Sequence, residues 1–213
     1  MNKIIDLISN KIPFPQGYHD FADKRTFLGI PNALDVLSNI AILVPALYLL
    51  QTRKTKSLMS NLLILHISLL AITSGYYHLN PSDETIFWDI MAIATLSMLV
   101  LMIMSNTKYG LLLYSYAIFS IIYWKYTGDL RFYLLILIGA PLYIVFKYYK
   151  KNNLRTYLFI MILSNIILRL SEHNDHYIYQ LTNNLVSGHT IKHIFAGLGI
   201  FYVIKILQKE NKL

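Results

Sequence analysis

Long apolar tracts separated by short polar segments make up most of the chain. Uninterrupted apolar runs cover residues 33–51, 57–78, 85–105, 109–125, 130–148, 154–171 and 188–207. About twenty consecutive apolar residues cross the hydrocarbon core of a bilayer as one α-helix, and a helix satisfies its own backbone hydrogen bonds there. We therefore predict an all-α membrane protein with seven transmembrane helices.

The first thirty residues follow another pattern, because charged residues and prolines interrupt every apolar run. They lack the basic stretch and adjoining apolar region of a cleavable signal peptide. We predict that residues 1–30 form an N-terminal extramembrane or interfacial segment and that residues 31–213 form the seven-helix domain. The first span would then serve as an uncleaved insertion signal.

The composition excludes an ordinary water-soluble domain. Hydrophobic residues make up 55% of the 213 residues and charged residues only 14%, and the mean hydropathy is +0.47, whereas soluble domains carry about 25% charged residues. The chain has no cysteine, which excludes disulfides, thiolate metal sites and cysteine nucleophiles. Any bound metal must be held by His, Asp or Glu.

Basic residues collect after alternate tracts and so indicate the orientation of the chain. They are Arg53, Lys54, Lys56, Lys108, Lys147, Lys150, Lys151, Arg155, Lys205, Lys209 and Lys212. Two of the opposite loops, 78–84 and 171–187, contain no Lys or Arg, whereas Lys125 and Arg131 near the turn between the fourth and fifth tracts, and the mixed-charge N-terminal segment, dilute the contrast. Because short cytoplasmic loops carry the excess of these residues, we predict a cytoplasmic C-terminus and an N-terminus outside. The net charge of +8 therefore indicates no nucleic-acid partner, which would require basic residues clustered on one soluble face.

Polar residues inside the tracts are concentrated at the ends that this topology places at the outer face. Ionisable residues within a span are costly and are candidates for function. Ser74 and His78 are four residues apart at the end of the second tract, Asp89 lies near the start of the third, and His189 and His193 share a face at the start of the seventh. Three imidazoles and a water complete an open tetrahedral zinc site. A nearby carboxylate can act as general base, and a hydroxyl can stabilise an oxyanion.

Other polar residues have two interpretations each. Asp35 and Asn39 lie on one helical face and either take part in catalysis or join helices by hydrogen bonds. Glu172 either contacts substrate or forms an ion pair with Arg169 at i, i+3. Lys192 either faces the site or extends to the interface. A functional role is less expected of three other histidines. His173 and His176 lie in a polar loop, and His66 is interpreted as a packing residue.

Three spaced motifs resemble the bacterial branch of the alkaline ceramidase family. They are Gly29-Ile30-Pro31-Asn32 through Asp35-Val36-Leu37-Ser38-Asn39, then Ser74-Gly75-Tyr76-Tyr77-His78-Leu79-Asn80-Pro81 with Trp88-Asp89, and Ser187-Gly188-His189-Thr190-Ile191-Lys192-His193. The family belongs to a larger group of seven-helix membrane hydrolases that includes the adiponectin-type receptors. The resemblance covers the chain from about Tyr18 to the last span, in the same order.

The resemblance implies a role for each matching residue. His78, His189 and His193 would hold a catalytic zinc, Asp89 would orient or deprotonate the water, and Ser74 would contact the scissile amide. The implied reaction is hydrolysis of an N-acyl sphingoid base to a fatty acid and a long-chain amine. Glu172 and Asp175 match acidic positions of the bacterial branch to which the resemblance assigns no role.

The resemblance also bears on whether the residues before the first span bind calcium. Related animal and fungal ceramidases bind calcium through an acidic cluster just before the first span. Here Asp20, Asp23 and Asn32 offer oxygen ligands suited to that ion, but Lys24 and Arg25 stand where further acceptors would be needed. The alternative is an interfacial turn stabilised by ion pairs.

The sequence thus predicts a zinc-dependent integral-membrane amidase acting on a membrane lipid. Its site would face the outer side of a bacterial cytoplasmic membrane. One alternative is a seven-helix lipid receptor or binding protein with a structural zinc site. A transporter is a further alternative, but transporters place their sites at the midplane of repeated halves, and the sequence shows no internal repeat.

Overall fold

The computed structural model describes residues 10–53 and 56–213, and within these ranges it consists of α-helices and contains no β-strand. Residues 1–9 of the predicted N-terminal segment and Lys54 of the first basic cluster lie outside the described residues. The helices are α1 (Ala33–Leu37), α2 (Ile40–Thr52), α3 (Leu58–Leu79), α4 (Asp83–Ser105), α5 (Gly110–Thr127), α6 (Arg131–Tyr148), α7 (Arg155–His173), α8 (Asp175–Leu181) and α9 (Gly188–Lys209). A short 3-10 helix, Asn152–Leu154, precedes α7.

Six stretches of the described chain are long and apolar enough to cross a membrane. They are Ala33–Thr52, Leu58–Leu79, Asp83–Ser105, Arg131–Tyr148, Asn152–His173 and Gly188–Lys209. The helix α5, predicted as the fourth span, has 18 residues, but its tyrosines and Lys125 make it less apolar than the others. The all-helical, multi-pass membrane architecture is confirmed. The seventh span and the orientation of the termini stay predictions.

The first tract is divided, although its hydrophobic pattern predicts one continuous helix. Helix α1 ends at Leu37 and α2 begins at Ile40. The side-chain amide of Asn39 donates to the carbonyl oxygens of Asp35 and Val36, and its backbone N–H bonds Val36 rather than Asp35. An Asn side chain that bonds the preceding turn competes with the helical ladder in this way.

Serine caps set where three of the long helices begin. The Oγ atoms of Ser57, Ser82 and Ser187 accept hydrogen bonds from backbone amides in the first turns of α3, α4 and α9. Such caps satisfy amides that have no partner within the helix. The cap at Ser187 places the two histidines of α9 in the first turns of that helix.

Glycines allow α9 to approach its neighbours closely. A Cβ atom on Gly197 would lie 2.1 Å from the carbonyl oxygen of Ala41 in α2, and one on Gly188 would lie 2.2 Å from that of Ser171 in α7. Small residues permit such backbone contact between membrane helices. The ends of α3 and α7 and the starts of α1, α4 and α9 meet at one end of the bundle. This end is here called the triad end.

The described N-terminal segment, residues 10–32, lies across the triad end. Near its beginning, the backbone N–H of Ile12 donates to Asp129 Oδ1 (3.1 Å) and the Ile12 carbonyl accepts from the Leu130 N–H (2.8 Å). At the other end of the segment, the Ala33 N–H donates to the Arg25 carbonyl. Phe21, which lies between these attachments, is buried in an apolar cluster with residues of α3, α4, α5 and α6.

Candidate metal centre

The structure brings His78, His189 and His193 together at the triad end. His78 lies in the last turn of α3, while the other two lie one turn apart at the start of α9. One ring nitrogen from each lies within 4.8 Å of the others, and all three side chains are buried. This is the only group of three or more such ligands within residues 10–53 and 56–213. The triad is therefore a site that could bind a metal ion.

Hydrogen bonding leaves lone pairs of the triad free. Ser38 Oγ donates to the Asp35 carbonyl (3.0 Å) and lies 2.7 Å from His193 Nδ1. Because the hydroxyl has only one proton to donate, Ser38 Oγ accepts from the Nδ1–H of His193. His193 Nε2 and His78 Nδ1 are buried without a hydrogen-bond partner. A hydrogen bond to one ring nitrogen that fixes the tautomer and leaves the other nitrogen free is typical of metal-binding histidines, so the residues present fit a metal ion.

Backbone contacts hold the other two ligands in place. Asn32 Nδ2 donates to the His78 carbonyl oxygen (2.8 Å) at the end of α3. The backbone N–H of His189 donates to Asp175 Oδ1 (2.7 Å). Both bonds come from outside the helix that carries the histidine, so the position of the triad depends on several segments.

The predicted base and hydroxyl line a cavity that reaches the triad. Asp89 is buried, and its Oδ1 has no hydrogen-bond partner. Ser74 is also buried and its hydroxyl neighbours the Asp89 carboxylate. Both residues line the same cavity as His189 and His193. The arrangement provides a proton acceptor and a hydroxyl in the same cavity as two of the three imidazoles.

The cavity that contains these groups continues far into the bundle. Its volume is about 980 Å³. Away from the triad its walls are largely aliphatic, with contributions from α2, α3, α4, α6, α7 and α9: Ile42, Leu63, Leu70, Leu96, Val100, Leu137, Ile144, Met161, Val203 and Ile204. The polar groups are thus at one end of a long apolar space, which suits a ligand with a polar head and a hydrocarbon chain.

A network of charges centred on Glu172 adjoins the triad. Glu172 accepts hydrogen bonds from Lys192 (2.6 Å), Arg169 (3.0 Å) and the Tyr18 hydroxyl (3.3 Å). The predicted ion pair with Arg169 is confirmed. Lys192 is directed to Glu172 rather than to the surface, and its Nζ also lies 3.3 Å from His189 Nε2. Burial, reinforced by nearby carboxylates including Glu172, raises the pKa of Tyr18, so its hydroxyl stays protonated.

Asp35 joins two helices, as one of its two interpretations predicts. Its Oδ1 accepts from Ser187 Oγ (2.8 Å) and Thr190 Oγ1 (2.7 Å) at the start of α9, and its Oδ2 has no partner. Asn39 bonds within its own segment, and its Oδ1 is buried without a hydrogen-bond partner. Asp35 therefore links α1 to the helix that carries two triad histidines.

The residues predicted for calcium each have their own partner. Asp20 Oδ1 accepts from Lys24 Nζ (2.5 Å), which lowers the pKa of Asp20. Burial opposes ionisation of Asp23, but hydrogen bonds from Arg25 (2.6 and 2.8 Å) hold the pKa of Asp23 below its usual value. Asn32 uses its amide nitrogen on His78. These contacts match the ion-paired turn, and calcium binding stays a prediction.

Outside the triad, His66 and His176 bond ordinary partners. His66 bonds the Leu62 carbonyl and the Tyr114 hydroxyl, both at 2.8 Å, which agrees with its interpretation as a packing residue. His176 Nε2 bonds the Asp20 carbonyl oxygen (2.9 Å). His173 and His176 belong to no group of three metal ligands in the described chain.

Sequence reasoning missed two residues that contact the triad. The ring of Phe21 packs on His78 and His189, with centroid distances of 4.6 Å to each. Ser38 supports His193. Phe21 precedes the spans and Ser38 lies between α1 and α2, so hydrophobic periodicity carries no signal for either contact.

Comparisons with protein-family models, with curated proteins and with solved structures found no match to this chain.

Proposed function

We propose that the protein is a metal-dependent membrane hydrolase that cleaves the amide bond of an N-acyl lipid, as its resemblance to the alkaline ceramidases implies. The observation that carries this proposal is the position of three buried imidazoles, with free ring nitrogens on His78 and His193, at the polar end of an apolar cavity of about 980 Å³. We propose zinc as the metal, because neutral imidazoles suit it and three protein ligands leave a position open.

Such an ion, when bound, supplies a water of lowered pKa and a Lewis acid for the amide carbonyl. The protein's own groups supply the proton transfers. Asp89 Oδ1, buried and without a partner, is the proton acceptor for the attacking water and returns that proton to the leaving amine. The Ser74 hydroxyl donates to the oxygen of the amide as negative charge develops there. The aliphatic walls exclude bulk water and hold the acyl chain.

The route of the substrate follows from the same cavity. Helices α6 and α7 both line it and touch each other only sparsely. A lipid chain can therefore enter from the bilayer between these two helices while its amide stops beside the histidines. We further propose that the triad end faces the outer side of a bacterial cytoplasmic membrane, because two of the loops at this end, 78–84 and 171–187, lack Lys and Arg, and only Lys125 and Arg131 flank the third.

The test compares two histidine variants of the purified protein in detergent. Bound zinc and the hydrolysis of a fluorescent N-acyl sphingosine are measured for the wild type, His193→Ala and His66→Ala. The proposal expects about one zinc per chain in the wild type and loss of both zinc and turnover in His193→Ala. His66→Ala is the matched control, since His66 is buried in a span but bonds Leu62 and Tyr114. Equal turnover in His193→Ala and the wild type contradicts the proposal.

The cavity also favours a second candidate, a lipid-binding protein or receptor with a structural metal. An apolar space of this volume can hold a lipid whether or not the lipid is cleaved. The same assay separates the two candidates. A receptor releases no more than one equivalent of fatty acid per chain after long incubation, whereas a hydrolase exceeds it.

A further inference from the structure

The segment around Phe21 packs against the triad. The Phe21 ring is 3% exposed and packs against two of the three imidazoles. The reaction proposed above gives this aromatic ring no chemical role. Contacts with the bundle must nevertheless hold the segment in this place, because residues 10–32 form no helix of their own that would fix them.

One carboxylate connects this segment to the triad. Asp175, the first residue of α8, is 8% exposed. Its Oδ2 accepts from the backbone N–H of Ala22 (2.9 Å), which follows Phe21, and its Oδ1 accepts from the backbone N–H of His189 (2.7 Å). Within the described chain no other side chain hydrogen bonds both the segment 18–25 and a triad histidine. Asp175 is therefore the direct link between the two.

The local chain is built to bring this carboxylate close. A Cβ atom on Gly188 would lie 2.8 Å from the Cα atom of Asp175, so a larger residue would push the start of α9 away from α8. The His189 N–H belongs to the first turn of α9, whose amides have no partner within the helix. A negative charge at this helix start is favoured both by those free amides and by the helix dipole.

We propose that Asp175 is a positioning residue for the metal centre. One of its oxygens fixes the first turn of α9 and thereby the place of His189, and the other holds Phe21 over the imidazoles. The proposal rests on one part of the proposed function, the binding of a metal by the triad, and is independent of the substrate. Outer-shell partners of metal ligands typically contribute about 10- to 100-fold to metal affinity.

Other contacts of the same segment do not replace this link. His176 bonds the Asp20 carbonyl, and Arg25 Nη2 bonds the Leu185 carbonyl, both at 2.9 Å. Both attach the segment to the connection between α7 and α9, but neither reaches a triad residue. They keep the segment near the bundle, while Asp175 determines how Phe21 and His189 lie relative to each other.

The test uses Asp175→Asn, which removes the charge and one of the two acceptor oxygens with little change in volume. The proteins are loaded with Co²⁺, and its visible absorption is followed during competition with EDTA. We expect Asp175→Asn to hold Co²⁺ about 10- to 100-fold more weakly than the wild type and to show an altered absorption spectrum.

Asp129→Asn is the matched control. Asp129 is also buried, and it also accepts from an amide of the N-terminal segment (Ile12, 3.1 Å) and from an amide at a helix start (Arg131, 3.2 Å). It makes none of its hydrogen bonds to the triad. This variant should lower the melting temperature but retain Co²⁺ as the wild type does. Equal Co²⁺ affinity in Asp175→Asn and the wild type, or equal weakening in both variants, overturns the proposal.

A second variant covers the case in which Asp175→Asn is not recovered folded. Phe21→Ala leaves both hydrogen bonds of Asp175 in place but uncovers two imidazoles, so EDTA should remove Co²⁺ faster than from the wild type. An unchanged rate of Co²⁺ removal from Phe21→Ala overturns the proposal. Weakened Co²⁺ binding in Asp175→Asn without lipid hydrolysis by the wild type supports the role of Asp175 and rejects the amidase. Lipid hydrolysis by the wild type, together with unchanged Co²⁺ binding in Asp175→Asn, supports the amidase and rejects the role of Asp175.

Discussion

At the scale of single residues, the hydrogen bonds of a side chain determine which of its atoms remain free to bind a metal ion or to accept a proton. Ser38 uses its proton on the Asp35 carbonyl and accepts from His193, which leaves His193 Nε2 free. Asp89 Oδ1 is likewise buried without a partner. An unsatisfied buried polar atom costs about 1–3 kcal/mol, and both atoms are available to accept a metal ion or a proton.

Asp89→Asn tests the proposed proton acceptor. The amide has nearly the same shape but does not take up a proton, so kcat for lipid amide hydrolysis should fall by about 10²- to 10⁴-fold. Zinc content should not change, because Asp89 is not a member of the triad. Turnover and bound zinc are measured on the same preparations.

Asp83→Asn is the control for that variant. Asp83 begins the same helix, but its side chain is 74% exposed and contacts His19. Its turnover should equal that of the wild type. A fall of similar size in both variants would reject Asp89 as the base.

Asp23 leads to a prediction of pH dependence at the same scale. Its folded-state pKa lies below its usual value because hydrogen bonds from Arg25 outweigh the effect of burial. A lowered pKa stabilises the folded state above the unfolded pKa, about 3.9, and this stabilisation is lost as the pH falls through the folded pKa. Asp23→Asn should therefore lower the melting temperature at neutral pH and weaken its decline under acid conditions.

Asp20→Asn is the comparison for Asp23. Asp20 pairs with Lys24, but both side chains are more than half exposed, and exposed ion pairs contribute about 0–1 kcal/mol. The melting temperature of Asp20→Asn should stay near that of the wild type across the same pH range. Thermal unfolding of both variants, measured from about pH 7 to about pH 3, checks the difference. Identical curves for the two variants would contradict the role given to Asp23.

At the scale of elements, the packing of α9 on α2 determines where two of the triad ligands lie. Gly197 lies one turn after His193 and contacts the backbone of Ala41, with no space for a Cβ atom. The two helices also meet at Tyr48, whose hydroxyl accepts from Lys205 (3.0 Å) near the other end of the bundle. Separating α9 from α2 would therefore move His193 away from Ser38 and His78.

Gly197→Ala tests this packing. Overfilling a packed interior costs about 1–3 kcal/mol, so the variant should melt at a lower temperature and bind zinc more weakly than the wild type. Gly199→Ala is the control, since its Cβ would meet only Asn165 and Ser164 side-chain atoms at 3.7 Å, an ordinary contact. Thermal unfolding and zinc titration are measured for both. Equal behaviour of the two variants would show that the α2–α9 contact does not support the triad.

At the scale of the whole molecule, the depth of the cavity limits the length of the hydrocarbon chain that it can hold. The lining reaches Val100 on α4 and Ile204 on α9, which are eleven residues beyond Asp89 and His193, or about 16 Å at 1.5 Å per residue. Met104, one turn further along α4, and Tyr148 of α6 are fully buried in the apolar cluster and do not line the cavity. A chain of single bonds advances about 1.2 Å per bond when extended, so about 13 carbons would fit beyond the amide of the proposed substrate.

Val100→Phe tests this limit. The added volume shortens the cavity, so the ratio of kcat/KM for substrates with about 8 to 10 acyl carbons to that for about 16 should rise at least tenfold. Leu142→Phe is the control, because Leu142 is 62% exposed and does not line the cavity. Chain-length profiles of both variants are compared with the wild type. The same profile in all three proteins would place the acyl chain elsewhere.

Most of the fold could be predicted from hydrophobicity alone, because each span is a local feature of about twenty residues. The exceptions have physical causes. The first tract is divided since Asn39 bonds the carbonyls of the preceding turn, and α5 is less apolar than a typical span because it contains several tyrosines. The convergence of the three histidines could be predicted from the sequence. Successive spans run in opposite directions, so the end of the second tract, with His78, lies on the same side as the start of the seventh, with His189 and His193.

The sequence by itself determined the class of the protein, the approximate bounds of its helices and the identity of the candidate metal ligands. These follow from hydropathy, from helical spacing and from the kinds of side chain that bind metals. Only the tertiary structure decided which ring nitrogens stay free, that Asp35 joins α1 to α9, and that Asp175 connects Phe21 to His189. Such contacts join residues up to about 150 positions apart, and their geometry depends on how helices pack rather than on any local pattern.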